Sequence, residues 1–282
     1  MTTATTGLSR QFAGLIAAEQ LALPPMPATA GEVMQLCQQE ATDAAKLSAV
    51  VHRDQTIATS VLRVANSAAY VGQVACTSLQ QACSRLGMQL IGEIATAVAV
   101  RGRMFGNPRC AELLATLWRH SVLAGFFSKE IARARRRNVD VAFLCGLLHD
   151  IGKAVLLDNV DRLLAAGGAA PDEGELLVAL AEQHTVAGVV LARRWQLPDQ
   201  IAEAMQFHHE PAAAPRFGEL AATTQIADAL AHLTAPSALA PALDEAELRV
   251  HPGLRVLNLY PDQVDALLAL QTRALEVAEG MR

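Results

Sequence analysis

Apolar residues recur along this chain at the three- and four-residue spacing that places them on one face of a helix. In one example Leu79, Ala82 and Leu86 share such a face. Gly87 follows them as the predicted end of that helix. No segment alternates with the period of two that a half-buried strand requires. The pattern therefore predicts an all-α fold in which helices are joined by short loops.

The individual helices are predicted from this spacing together with capping residues and helix breakers. Their approximate bounds are residues 29–39, 43–52, 56–66, 79–86, 88–100, 111–132, 141–150, 198–208, 219–233 and 261–279. Asp140 is the predicted N-cap of the segment 141–150. Pro261 begins an amphipathic last helix that we expect to pack on the core.

A cluster of helix-breaking residues between positions 101 and 108 separates two helical blocks. We therefore divide the chain into an N-terminal segment (residues 1–17), an N-terminal helical lobe (18–106), a second helical lobe (107–235) and a C-terminal extension (236–282). Of the eight histidines, only His52 precedes residue 107. The ionisable chemistry is thus concentrated in the second lobe.

Composition limits the class of protein. Hydrophobic residues make up 52% of the 282 residues and charged residues 18%, which is typical of a globular chain rather than a disordered one. The formal net charge of −5 offers no electrostatic attraction for nucleic acid. The first residues lack the pattern of a secretion signal, and the apolar stretches are too short to span a bilayer. We expect a cytoplasmic protein that does not contact a membrane.

The adjacent pair His149-Asp150 carries the strongest chemical signal because it interrupts an apolar run. Side chains of this kind are costly to bury unless they are hydrogen-bonded or bound to an ion. Imidazole nitrogens and carboxylate oxygens together suit divalent Fe, Mn, Ni or Zn. A hydrogen-bonded polar pair that fixes the order of the helices is the alternative without a metal.

Histidine and aspartate residues of the second lobe form two candidate sets of metal ligands. The first set is His120, His149, Asp150 and Asp228, and the second set is His184, His208 and His209. Lys153, one helical turn beyond His149, is a candidate contact for a substrate phosphate if the protein is a hydrolase. We expect His52, His232 and His251 to be ordinary surface or interface residues.

The order of these residues resembles the HD superfamily of metal-dependent phosphohydrolases, and most closely its HDOD (HD-related output) branch. The resemblance rests on short segments spread along the chain: LPPMP (23–27), VHRDQ (51–55), LRVANSA (62–68), WRHS (118–121), GLLHDIGK (146–153), WQLP (195–198) and HHEP (208–211). Together they extend over most of the chain, about residues 18–233.

This resemblance implies a two-lobed, all-helical fold with an HD-like C-terminal lobe and a role in bacterial signal transduction. Proteins of this branch typically have no demonstrated hydrolase activity. Relatives that hydrolyse cyclic di-GMP carry a Gly-Tyr-Pro motif after the double histidine, whereas this chain continues PAAAP (211–215). The departure argues against that substrate, while the residues that correspond to metal ligands are present.

We therefore derive two main hypotheses from the sequence. In the leading one, the protein is a non-catalytic regulatory module that binds a protein partner or a small ligand such as a nucleotide. In the alternative, it is a metal-dependent phosphohydrolase acting on a nucleotide or a cyclic dinucleotide. The acidic balance disfavours a nucleic-acid-binding regulator, and a homodimer formed through the last helix is a weaker option.

Overall fold

The structure, a computed structural model, describes residues 7–37, 44–70, 72, 74–165, 170–239 and 243–281. Every regular element among these residues is helical, which confirms the predicted all-α fold. The division into two lobes stays a prediction.

The described α-helices are named here in chain order. The N-terminal part contains α1 (Gly7–Ala17), α2 (Ala28–Cys37), α3 (Ala44–Arg53), α4 (Gln55–Ala65) and α5 (Leu79–Met104). The central part contains α6 (Ala111–Ala134), α7 (Val139–Leu148), α8 (Ile151–Ala165), α9 (Glu173–Arg194), α10 (Asp199–Phe207) and α11 (Gly218–Thr234). The C-terminal part contains α12 (Glu245–Arg249), α13 (Pro252–Val256), α14 (Pro261–Leu268) and α15 (Gln271–Gly280).

Local capping interactions explain where several helices begin. The carboxylate of Asp54 accepts hydrogen bonds from the backbone N–H groups of Thr56 and Ile57 at the start of α4. Ser78 and Gln81 form a capping box at the start of α5. The predicted helix ends near residues 39 and 43 lie outside the described residues.

The predicted break at Gly87 is confirmed, because two helical segments meet there at a kink. Gly87 has a backbone φ of 78°, a left-handed conformation that glycine adopts without a steric penalty. Apolar side chains continue beyond it, and Leu90, Ile91 and Ile94 are buried. Because this buried face extends past the bend, helical structure resumes and α5 continues to Met104.

The His149-Asp150 pair lies at the junction of α7 and α8 and not within one helix. The side-chain oxygen of Asn138 accepts two backbone N–H groups of the first turn of α7. The prediction that Asp140 caps this helix is therefore wrong. The physical reason is that Asn138 already supplies the capping oxygen, while the Asp140 carboxylate accepts a hydrogen bond from Gln89 of α5 at 2.9 Å.

The C-terminal extension contains more helix than the sequence pattern predicts. Helices α12 and α13 lie in the region expected to be a connection, and a turn at residues 269–270 divides the predicted single last helix into α14 and α15. Val264 and Val277 are buried, one in each of these two helices, and both helices contact α6. The Trp118 indole N–H of α6 donates to the carbonyl oxygen of Met281 at 3.2 Å. The extension therefore packs on the core.

Residues 9–24 contact α8 and α9. Asn159 of α8 brackets Ala22, accepting its N–H at 2.9 Å and donating to its carbonyl oxygen at 3.1 Å. The indole N–H of Trp195, directly after α9, donates to the carbonyl oxygen of Pro24 at 2.9 Å. Helix α1 packs along α9, where the buried Ser9 hydroxyl donates to a carboxylate of that helix at 2.5 Å. These contacts position two helices that carry candidate site residues.

Among the described helices, α9 has the length and apolar character to cross a membrane. Core helices of globular proteins can have the same length and composition. In this fold α9 packs against α1, α8 and α10.

Two glycines allow the helices around the His149-Asp150 pair to approach closely. A Cβ atom added at Gly146 of α7 would lie 2.4 Å from the carbonyl oxygen of Ala124 in α6. A Cβ atom added at Gly152 of α8 would lie 1.9 Å from the carbonyl oxygen of His184 in α9. Neither distance leaves room for a methyl group, so α7 meets α6, and α8 meets α9, through the backbone.

We expect Gly152→Ala to destabilise the protein by about 3 kcal/mol or more, because the added methyl group would force α8 and α9 apart. Gly102→Ala is the matched control, since Gly102 is helical and exposed and a Cβ atom there would meet nothing within 4 Å. The control should raise stability by up to about 1 kcal/mol. Denaturant unfolding followed by circular dichroism measures both changes. Equal stabilities of the two variants would contradict the close contact of α8 with α9.

Candidate metal centre

The candidate ligands of both sets come together in one largely buried cluster. They are His120 from α6, His149 and Asp150 from the α7–α8 junction, His184 from α9, His208 and His209 from the end of α10, and Asp228 from α11. The side chains of His149 and His208 are 0% exposed, and that of Asp150 is 2% exposed. Residues that are far apart in the sequence thus share one small volume.

Asp150 occupies the middle of the cluster. Its Oδ2 lies 3.5 Å from His149 Nε2 and 3.7 Å from His120 Nε2. Its Oδ1 lies 3.3 Å from His184 Nε2 and 3.9 Å from His208 Nε2. Each oxygen of this carboxylate therefore faces a different pair of imidazoles, one pair from each predicted set.

Backbone hydrogen bonds fix the orientation of three imidazoles. In His149, His184 and His208, the Nδ1 atom lies 2.7–3.0 Å from a carbonyl oxygen about one helical turn earlier in the chain. A carbonyl oxygen only accepts, so each Nδ1 carries the proton and donates it. In the neutral ring Nε2 is then left with a lone pair directed toward the cluster, which is the state in which an imidazole binds a metal.

The Nε2 atoms of the cluster face one another. The distance is 3.3 Å between His120 and His149, 3.4 Å between His184 and His208, and 3.1 Å between His184 and His209. Two imidazole lone pairs at such distances repel each other unless a proton or a metal ion lies between them. The arrangement therefore calls for positive charge inside the cluster.

Asp228 completes the first set. Its Oδ1 lies 3.0 Å from His120 Nε2 and 3.5 Å from His149 Nε2. In the described part of the chain, Oδ1 of Asp228 and Oδ1 of Asp150 are both buried and have no hydrogen-bond partner. Buried carboxylate oxygens without a hydrogen bond are rare, and a coordinated cation would satisfy each of them.

The spacing of these atoms fits coordination of divalent ions. Metal bonds from histidine nitrogen and aspartate oxygen are about 2.0–2.2 Å long, so neighbouring ligand atoms on one ion lie about 3.0–3.6 Å apart. The distances of 3.0–3.9 Å around Asp150 and Asp228 are close to that range. Imidazole and carboxylate donors suit Fe, Mn, Ni or Zn better than Ca²⁺ or Mg²⁺, which prefer all-oxygen sites.

Lys153 is buried beside the cluster. Its Nζ donates to Asp150 Oδ2 at 2.6 Å, and its side chain is 6% exposed. Burial by itself would raise the pKa of Asp150, but the charges of Lys153 and His149 hold that pKa well below its usual range. The role of Lys153 as a phosphate contact stays a prediction, and its observed contact is to this carboxylate.

Burial and charge act differently on the individual histidines. Burial lowers the pKa of His120 to about 4 and that of His184 to about 4, so both rings are neutral at pH 7 and able to act as ligands. Burial alone would also lower the pKa of His149, but the negative charge of Asp150 and the contact with Asp228 raise it above its ordinary value. The space between the two carboxylates therefore attracts a cation, either a proton on His149 or a metal ion.

His232 also belongs to the cluster, so the expectation that it is an ordinary surface or interface residue is wrong. Its Nε2 lies 3.2 Å from Asp228 Oδ1, and its ring stacks on that of His120 with centroids 4.2 Å apart. Asp228 and His232 lie one helical turn apart on α11, and this spacing is the signal that identifies the pair in the sequence. His52, in contrast, is exposed.

The chain resembles known proteins both in sequence and in fold. The family model of the HDOD domain matches residues 23–211. An HDOD domain protein of unknown function from Geobacter sulfurreducens has a TM-score of 0.72 at 22% identity, covering 97% of this chain and 96% of its own. A candidate metal-dependent phosphohydrolase from Shewanella amazonensis SB2B has a TM-score of 0.71 at 18% identity, covering 98% of this chain and 100% of its own. At these identities the likeness concerns the fold alone.

An uncharacterized protein of Treponema pallidum (strain Nichols) is 24% identical over 202 residues, or 68% of this chain. The match covers 39% of the Treponema protein, so this chain spans less than half the length of that curated relative. The HDOD model covers about two thirds of the chain and includes every candidate ligand except Asp228 and His232. The chain belongs to the HDOD domain family.

Proposed function

We propose that this protein is a metal-dependent phosphohydrolase that acts on a phosphate diester of the nucleotide or cyclic-dinucleotide class. The observation that carries the proposal is the position of Asp150, whose two oxygens face imidazole nitrogens of both ligand sets at 3.3–3.9 Å. A carboxylate placed between two groups of nitrogen donors suits a centre of two ions that share it.

The ligands would divide between the two ions. His120, His149 and Asp228 would hold one ion, His184, His208 and His209 would hold the other, and Asp150 would contact both. Bound divalent ions supply the positive charge that polarises a phosphate ester and promotes its hydrolysis by water. Lys153 keeps Asp150 ionised and would add to the positive charge that a substrate phosphate meets.

The less buried members of the cluster indicate the side from which a substrate would approach. The side chains of Asp228 and His232 are 16% and 10% exposed, and His209 is exposed. His149 and His208, at 0% exposure, lie on the inner side. A substrate phosphate would therefore meet the cluster beside Asp228 and His209.

A non-catalytic regulatory role is the second candidate function, and the position of Lys153 favours it. An ammonium group 2.6 Å from Asp150 supplies positive charge that a metal ion would otherwise supply. The cluster would then stabilise the fold without hydrolysing a substrate. In that role the protein would act by binding a protein partner or a small ligand such as a nucleotide.

The first prediction from the proposed function concerns metal content. After removal of bound metal with a chelator, the protein dialysed against Mn²⁺ or Zn²⁺ should bind about two ions per chain, as a shared carboxylate implies. Asp150→Ala should weaken the binding of both ions by at least about 10-fold, because it removes the ligand common to both. Mass spectrometry of the metal content after equilibrium dialysis measures the ratio. The control His52→Ala should bind the same number of ions as the unmodified protein. If the unmodified protein itself binds no metal, the proposal is contradicted.

The second prediction concerns catalysis. The metal-loaded protein should hydrolyse bis(p-nitrophenyl) phosphate, and His149→Ala should lower kcat by at least about 100-fold, since it removes a ligand from the centre. The absorbance of released nitrophenolate reports the rate, and His52→Ala is again the matched control. If the metal-loaded protein leaves this diester and cyclic dinucleotides intact, the non-catalytic role replaces the hydrolase.

The third prediction separates the charge of Lys153 from that of a metal. In metal-free protein, Lys153→Met should cost about 3–5 kcal/mol of unfolding free energy, because the buried Asp150 loses its partner. A saturating metal ion should recover most of this loss. Lys129→Met is the control, since Lys129 forms another buried ion pair, with Glu93 at 2.5 Å. The free energy of unfolding of both variants is measured by denaturant with and without metal. Equal recovery of stability by the ion in Lys153→Met and Lys129→Met would contradict the prediction.

A further inference from the structure

His232 lies outside the sequence motifs that identify the family, yet the fold places it against the first ligand set. Its Nε2 approaches Asp228 Oδ1 at 3.2 Å from one helical turn away on α11. Its ring stacks on that of His120 with an interplanar angle of 26°. One ligand atom from each of His120, Asp228 and His232 lies within 4.8 Å of the other two.

Hydrogen bonding accounts for this arrangement only in part. Asp228 Oδ1 has Nε2 of His120 at 3.0 Å and Nε2 of His232 at 3.2 Å, but it has no hydrogen-bond partner among the described residues. Two imidazole nitrogens therefore converge on one buried oxygen, and neither satisfies it by a well-aligned hydrogen bond. Convergence of this kind is expected when all three atoms coordinate the same cation.

We propose that His232 is itself a metal ligand, which together with His120 and Asp228 holds one ion of the centre. This inference rests on the proposed function, because it requires that the cluster binds metal. Two imidazoles and one carboxylate favour a transition-metal ion such as Zn²⁺, Mn²⁺ or Fe²⁺ over Mg²⁺. His232, whose side chain is 10% exposed, lies at the partly exposed edge of the cluster beside Asp228.

A positioning role is the competing explanation. In that role His232 would only hold the Asp228 carboxylate in place by a hydrogen bond, and the ion would be bound without it. The two roles differ in how they tolerate replacement, since glutamine retains a hydrogen-bond donor but is a poor ligand for these metals. His232→Ala and His232→Gln therefore separate a ligand from a positioning residue.

The experiment uses the full chain, stripped of metal and titrated with Zn²⁺ against a competing chelator. Both His232 variants should bind one ion at least 10-fold more weakly and retain the affinity of the other. His251→Ala is the matched control, because His251 is a half-buried histidine whose Nδ1 accepts a hydrogen bond from Gly253. Its binding should equal that of the unmodified protein. Unfolding of each metal-free variant, measured in parallel, verifies that the fold is intact.

The outcomes are distinguishable. Unmodified protein that binds no ion overturns the proposed function and this inference together. Two ions bound with unchanged affinity by both His232 variants overturn the inference alone. Affinity lost in His232→Ala but restored in His232→Gln assigns a positioning role and also overturns it.

Co²⁺ substitution provides a readout independent of affinity. If His232 is a ligand, both variants change the visible absorption of the bound Co²⁺, because a nitrogen leaves its coordination sphere. His251→Ala should leave that spectrum unchanged. An unaltered spectrum in both His232 variants, with two Co²⁺ ions bound, contradicts the inference.

Discussion

The arrangement of helices α6 to α11 depends on the burial of one carboxylate, that of Asp150. Removing an ionised carboxylate from water costs several kcal/mol unless nearby charges and dipoles compensate. Here Lys153 provides a full charge at 2.6 Å, and imidazoles from α6, α9 and the end of α10 surround the remaining space. A shift of any of these helices would leave the charge of the carboxylate less well compensated. The same contacts therefore determine how the helices pack and where the candidate ligands lie.

Close backbone contact makes that geometry attainable. Gly152 brings α8 directly against the carbonyl oxygen of His184 in α9, and Gly146 brings α7 against α6. Side chains at these two positions would separate the helices and move the imidazoles away from Asp150. Contacts of Ala22 with Asn159 and of Pro24 with Trp195 tie the segment before α2 to α8 and to the end of α9. The two glycines and these polar contacts thus both keep the helices close enough for the imidazoles to surround Asp150.

Helix ends prepare the imidazoles for coordination. The last turn of an α-helix leaves carbonyl oxygens without an intrahelical partner. His149 and His208 each follow a helix directly, and each uses a carbonyl oxygen of that helix's last turn to fix its Nδ1 proton. The same contact satisfies the helix end and directs the Nε2 lone pair into the cluster. Capping and ligand orientation are therefore a single local interaction at both positions.

The sequence by itself determined the helical class, the family and seven residues of the cluster, because apolar spacing and short motifs are local properties of the chain. It misplaced the cap of α7, since Asp140 and Asn138 are both good capping residues. Asn138 directly precedes the helix and supplies the cap, and Asp140 instead accepts a hydrogen bond from Gln89 of α5. The spacing of Asp228 and His232 on α11 is visible in the sequence, but the stacking of His232 on His120 is set by the packing of α11 against α6. That the two ligand sets meet at the two oxygens of Asp150 was decided by the tertiary structure alone, because distances between residues on different helices depend on how those helices pack.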